Sequence, residues 1–224
     1  MSEGEKYNKY DILGNQYQLP LMDDLSKTKE RILLVSTILF AEKGFAAVSM
    51  RDLAESIGIK PASLYNHFEG KESLWDAVLE HTLELYLLYF EHLEQALSQV
   101  DTFEVMLDTI LSEPMKMSNT FTCYAFAMIQ AESFRDLKAA EIYNKTFLEF
   151  SIRFISEHFT KCIDNGQVEP FDTFMTAICI MNTTMMAIAL KVQQLMGCQI
   201  PWEPVEMIES LKKFVLSLVK VKGD

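Results

Sequence analysis

Between residues 49 and 68 the chain carries two short helical patterns separated by one glycine, and that arrangement leaves few folds open. Met50, Leu53, Ala54 and Ile57 recur at i, i+3, i+4 and i+7, which puts four apolar groups on one helical face. Ser49, followed three residues later by Asp52, resembles a capping box and marks where that helix starts. Gly58 ends it, because a residue without Cβ turns the chain cheaply through positive φ. Pro61, with its preset φ and missing amide hydrogen, suits the first turn of a second helix, which Leu64 and Phe68 would bury. Two short helices joined by a tight glycine turn form the unit that inserts its second helix into the major groove of DNA.

The pattern extends on both sides. Phe40-Ala41-Glu42-Lys43-Gly44-Phe45, Ser49-Met50-Arg51-Asp52-Leu53-Ala54, Gly58-Ile59-Lys60-Pro61-Ala62-Ser63-Leu64-Tyr65-Asn66-His67-Phe68 and Lys71-Glu72-Ser73-Leu74 follow one another without a gap. In this order and spacing they resemble the DNA-binding domain of the tetracycline-repressor (TetR) family. The resemblance covers about 48 of the 224 residues. A lone helix-turn-helix pattern is a weak signal, but Leu-Tyr-x-His-Phe and Lys-Glu at fixed distances make this one specific. The rest of the chain is similar to the family in architecture only.

An apolar share of 49% excludes a disordered chain, and 224 residues suffice for a full core. Met1-Ser2-Glu3-Gly4-Glu5 lacks the basic start and apolar run of a secretory signal, so a cytoplasmic protein is expected. Cys123, Cys162, Cys179 and Cys198 are scattered, which suits free thiols in a reducing compartment. His67, His81, His92 and His158 show no metal-ligand spacing with them, so no metal and no cofactor is expected. Thr173 to Leu190 is uncharged and reaches the lower length limit for a membrane span, but its threonines, Asn182 and flanks without Trp or Tyr favour a buried interface helix.

Formal net charge is −12, and it is unevenly spread. Residues 28–75 hold six basic and six acidic side chains, whereas residues 76–224 hold 11 and 21. The acidity therefore lies on the part that need not face phosphate.

Residues 1–27 form an extension in which Lys6, Tyr7, Lys9, Tyr10 and Tyr17 are candidates for a minor-groove arm, although Asp11, Asp23 and Asp24 favour a packed or mobile tail. Helices are expected over about 28–43, over the two segments of the helix-turn-helix, and over 72–97, where Leu74, Val78, Leu85, Leu88 and Leu93 supply apolar surface. Further helical segments lie near 102–112, 118–133, 136–165, 171–196 and 204–221, with breaks at Glu113-Pro114, Asn165-Gly166 and Gly197 with Pro201. No β pattern is present. An all-α chain follows, with a three-helix head over 28–75 and a helical body over 76–224.

With Leu64 and Phe68 facing inward, Lys60, Ala62, Ser63, Tyr65, Asn66 and His67 face outward or sideways. The resemblance implies phosphate contacts for Tyr65, His67 and Lys71. Base readout would fall to Lys60, Ala62 and Ser63, with Asn66 and Arg51 as further candidates and Ser49 at the start of the preceding helix. Arg51 has an alternative role in pairing with Asp52 or Glu55.

The body is rich in aromatics and methionine. Ordinary core is one reading. Together with the resemblance, however, they suggest an adaptable apolar cavity with Phe103, Met106, Phe121, Tyr124, Met128, Phe147, Phe150 and Met181 as lining candidates. Tyr124, Gln130, Glu132 and Asn144 are candidate polar anchors. The helices near 171–196 and 204–221 look like the family's dimer-forming pair, with Ala177, Thr184, Ala187 and Ala189 permitting close approach and Ile208, Leu211, Val215 and Leu218 forming a stripe.

The resemblance implies a homodimeric, ligand-responsive regulator, a repressor released from a palindromic double-stranded DNA operator by an apolar or aromatic small molecule. The alternative is a small-molecule carrier or sensor of the same fold that acts through a protein partner. An enzyme is not expected, since no nucleophile elbow, paired catalytic Cys and His, or phosphate loop is present.

Overall fold

The computed structural model describes the backbone of residues 25–116 and 121–220, and the side chains of 29–114 and 121–220. The candidate minor-groove arm at Lys6, Tyr7, Lys9, Tyr10 and Tyr17 lies outside these residues. Among the described residues the regular structure is helical throughout. The head contains α1 (Leu25–Lys43), α2 (Met50–Ile57) and α3 (Pro61–Tyr65). A long α4 (Lys71–Leu97) leads into α5 (Phe103–Lys116) and α6 (Phe121–Glu132). A nearly continuous rod follows: α7 (Leu137–Ile142), a π-helical stretch (Tyr143–Phe150) and α8 (Ser151–Asp164). Two long helices, α9 (Thr173–Leu195) and α10 (Pro204–Leu218), complete the chain.

The local signals of the head are realised in full. Asp52 Oδ2 accepts from the Ser49 amide at 2.8 Å while Ser49 Oγ accepts from the Asp52 amide at 3.2 Å, closing the capping box. Gly58 adopts φ +79° and ends α2. Met50, Leu53, Ala54 and Ile57 are all buried, as are Leu64 and Phe68.

α1 is buried on two sides. Ile32, Val35, Ile38, Leu39 and Phe40 enter the core, and so do Ser36 and Thr37, whose hydroxyl donates to the Leu33 carbonyl at 2.9 Å. One side packs on α2 and α4 and the other on α6, so the first helix of the head is shared with the body. Phe40, Phe45 and Trp75 lock the start of α4 into the head, with ring centroids 4.9–5.6 Å apart.

Three expectations change. Leu88 is 58% exposed, and the inward surface of α4 comes instead from Trp75, Leu79, Tyr86, Tyr89, Phe90 and Leu97, together with Leu74, Val78 and Leu93. The break expected at Glu113-Pro114 does not occur there, since α5 continues to Lys116. Pro114 lies near the helix end and removes one backbone bond, to the Ile110 carbonyl, while Ile110 and Leu111 hold the segment by being buried.

The third change concerns α9 and α10. α9 is long and apolar enough to cross a membrane by composition, but ten of its residues are buried inside the chain. Ala177, Thr184 and Ala187 pack within the chain, as do Ile208, Leu211 and Val215 of α10. The small residues and the stripe therefore serve packing within one protomer, and only Leu218 of that stripe, at 51% exposed, faces out.

Candidate nucleic-acid interface and effector chamber

The outer face of the head is assembled from short elements whose inner faces are fixed by the core. Lys60 is the extended residue before α3, where its ammonium, a donor only, cannot cap the helix, and its side chain is exposed. Lys60, Ala62, Tyr65 and Asn66 are exposed, and Ser63 and His67 are half-buried. Tyr65 is 53% exposed, which rules out a core role for its ring. The structure thus brings Lys60, Ala62, Ser63, Tyr65, Asn66 and His67 onto or beside one short helix.

Arg51 and Ser49 lie on the neighbouring α2, both exposed. Ser49 is occupied by the capping box, where its hydroxyl lies 2.6 Å from Asp52 Oδ2. That hydroxyl bond, followed by the amide bond from the same residue, holds the Asp52 carboxyl below the usual aspartate range. Lys71 opens α4 and is half-buried: its ammonium donates to the Ala46 carbonyl at 3.3 Å and lies 4.3 Å over the Phe45 ring.

In the body, a chamber of about 40 Å³ lies between α4, α5, α6, α8 and α9. Its walls include Tyr86, Tyr89 and Phe90 from α4, Ile110 and Pro114 from α5, Phe126 from α6, and Met181, Thr184 and Met185 from α9. Among the described residues no charged side chain lines it. Tyr86 stacks on Phe147 at 4.1 Å and hydrogen-bonds Ser151. Burial pushes the phenols of Tyr86 and Tyr89 well above their usual range, so both stay neutral.

Of the lining candidates named from sequence, only Met181 reaches this wall. Phe147 and Phe150 stand behind it, against Tyr86 and Phe90. Phe103 and Met106 belong to another part of the core, near Phe159, Phe171 and Cys162. Phe121 packs on His81, and Tyr124 and Met128 are buried core.

The polar anchors also fall elsewhere. Gln130 donates to the Tyr143 hydroxyl at 3.3 Å, Glu132 reaches the head, and Asn144 sits on an open outer groove with Arg153 and Phe174. Tyr86, Tyr89 and Phe90 of α4 were the walls to find, and nothing in their spacing sets them apart from core aromatics. Among the described residues no cluster of His, Cys, Asp and Glu could hold a metal ion. Burial raises the Cys123 thiol to about 12.

Residues 32–78 match the model of the bacterial regulatory proteins of the tetR family. The repressor KstR2 of Rhodococcus jostii is 37% identical over 94 residues, which is 40% of this chain and 46% of that protein. The match therefore spans less than half the length of that relative. The Escherichia coli regulator UidR is 26% identical over 166 residues, covering 73% of this chain and 81% of its own. Among solved structures, AibR in complex with isovaleryl coenzyme A and operator DNA superposes with a TM-score of 0.62 at 15% identity, over 84% of this chain and 97% of that one. The helix-turn-helix head is thus similar in sequence to the tetR family of bacterial regulatory proteins, and the all-helical body shares its fold with solved regulators.

Proposed function

We propose that the chain is a cytoplasmic, ligand-responsive, sequence-specific DNA-binding transcriptional regulator, and that it acts as a repressor. The observation that carries this reading is the outward face of α3, where Lys60, Ala62, Tyr65 and Asn66 stand exposed on a helix fixed from behind by Leu64 and Phe68. Lysine donates to guanine O6 and N7, and the alanine methyl suits a thymine methyl. Tyr65, His67 and Lys71 are assigned to phosphate, which positions the helix without reading sequence. The head (28–75) reads DNA, and the body (76–224) binds the effector and pairs with a second copy.

Pairing is supported by apolar side chains left exposed on α9, on α10 and between them: Met186, Trp202, Val205, Phe214 and Leu218 are each at least 47% exposed. Such a cluster on a soluble helix pair marks a contact surface. A two-fold dimer presents two copies of α3 to half-sites about one DNA turn, or a multiple of it, apart.

The effector is an apolar or aromatic small molecule. The chamber wall is uncharged among the described residues, which supports this, since a buried anion finds no basic partner among them. At about 40 Å³ the chamber is far smaller than a ligand site of roughly 300 Å³ or more, so binding requires its walls to part. Tyr86, Tyr89, Phe90 and Leu93 all belong to α4, and parting them moves the helix that begins in the head.

The test is operator binding by fluorescence anisotropy with wild type and Tyr65→Ala, using a duplex selected from random DNA. Binding lost in the variant while its circular dichroism and melting point are retained supports the reading. Equal binding by both would place the contact elsewhere, and no binding by folded wild type would favour the carrier acting through a protein partner.

A further inference from the structure

We propose that Glu132, at the far end of a body helix, is a positioning residue for DNA binding: it holds the α1–α2 turn and, through that turn, Lys71. The proposal rests on the DNA-binding reading above. Its starting point is a contrast between two helix endings in the head. Both α1 and α2 end on a glycine in the left-handed region, Gly44 at φ +82° and Gly58 at φ +79°. After Gly58 the next amide, that of Ile59, bonds back to its own helix at the Ala54 carbonyl, 3.0 Å away. This is the usual way such an ending satisfies its backbone.

After Gly44 the corresponding amide does something else. The Phe45 N–H leaves its own helix and donates to Glu132 Oε1 at 3.0 Å, across 87 residues of sequence. Glu132 is 5% exposed and is the last residue of α6. The approach is close: a Cβ on Gly44 would stand in contact with the same oxygen at 3.4 Å, while the φ of +82° is what calls for glycine. The acid stands at the C-terminal ends of both α6 and α1, where helix dipoles disfavour negative charge. Helix stability therefore does not account for it.

What the turn carries makes the contact functional. The Phe45 ring packs on Phe40 and Trp75, and it forms the seat for the Lys71 ammonium at 4.3 Å. The next residue, Ala46, offers its carbonyl to the same ammonium at 3.3 Å. The turn then runs through buried Val48 to Ser49, the cap of α2. Glu132 thus fixes the start of the turn that supplies both contacts to Lys71, the Phe45 ring and the Ala46 carbonyl. α6 also supplies Phe126 to the chamber wall, six residues earlier, about 9 Å along the axis at 1.5 Å per residue. One helix therefore joins the chamber to the phosphate-facing lysine.

The experiment uses the full chain and the duplex selected from random DNA, with affinity measured by anisotropy at four salt concentrations. Glu132→Met keeps the volume and loses the acceptor. It should bind at least tenfold more weakly, with the slope of log K against log salt reduced by about one, as expected for one lost phosphate contact. Glu132→Gln offers an amide oxygen in the same place and should bind within threefold of wild type. Lys71→Ala should weaken binding by a similar factor to Glu132→Met, and the double variant should be no more than twofold weaker than Lys71→Ala alone.

Wild-type affinity in Glu132→Met, or losses that multiply in the double variant, would overturn the proposal. Should Glu132→Met fail to fold by circular dichroism, Glu132→Asp, which keeps the charge but falls one methylene short of Phe45, takes its place with the same expected loss. A folded wild type that selects no DNA would remove the underlying reading, an outcome distinct from a failed Glu132 variant.

Discussion

Leu64 and Tyr65 are neighbours in the chain and opposites in environment: the first is fully buried and the second is 53% exposed. Leu64→Ala should cost about 2–5 kcal/mol through lost burial and a cavity under α3, read as a lower melting temperature. Tyr65→Ala should change stability by less than about 0.5 kcal/mol and still lose operator affinity. A Tyr65→Ala variant that melts early would show that the ring is structural. At the same scale, the capping bonds that lower the Asp52 carboxyl add stability that is present above the ordinary aspartate value of 3.8. That stability is lost as pH falls through the still lower folded value. Acid unfolding of Ser49→Ala should accordingly begin at higher pH than that of wild type. Ser49, Asp52, Gly58 and Pro61 were legible in the sequence because caps and turns depend on residues a few positions apart. Whether the Ser49 hydroxyl faces DNA or its own helix was not legible, since one residue type serves both ends.

At the scale of elements, the junction between head and body is built from α1, α4 and α6, and His81 on α4 lies within it. Its ring packs 5.9 Å from Phe121 of α6, and its Nε2 is buried without a partner. Burial lowers its pKa below 6.5, outweighing Glu84 at 3.8 Å and Glu30 on α1, both of which raise it. The folded state therefore holds the neutral ring. Stability from this site is complete above pH 6.5 and declines as pH falls below it, because the unfolded chain takes up the proton first. The melting temperature of wild type should fall more steeply between pH 7 and 5.5 than that of His81→Gln; parallel curves would contradict this. The sequence showed that α4 is long, but not which of its faces meets which helix. Leu88 matched a helical repeat as well as Tyr89 did, yet α4 is covered by α1 at one end and by α5 and α6 further along, so no single stripe describes it. The chamber was illegible for the same reason: five helices contribute its wall, and a side chain facing a cavity carries the same pattern as one facing core.

For the whole molecule, the head is electrically balanced while residues 76–224 carry ten more acidic than basic side chains, which keeps the body away from phosphate and leaves contact to the head. Pairing through α9 and α10 predicts that Phe214→Arg, which places a charge on an exposed apolar face, gives a monomer by light scattering and a large loss of operator affinity. A dimer of normal mass would move the interface elsewhere. Filling the chamber with Met181→Trp should leave the protein either unresponsive to effector or permanently released from DNA, because the ring needs space that only movement of α4 or α6 provides. Normal release by effector would place the ligand outside the chamber.

Reading of DNA by a pair of α3 helices is tested by sequencing the DNA that the purified protein selects from a random pool at near-physiological salt. The expected result is a palindrome with half-sites about one helical turn, or a multiple of it, apart. Absence of any enriched sequence, from protein shown to be folded and dimeric, would contradict it.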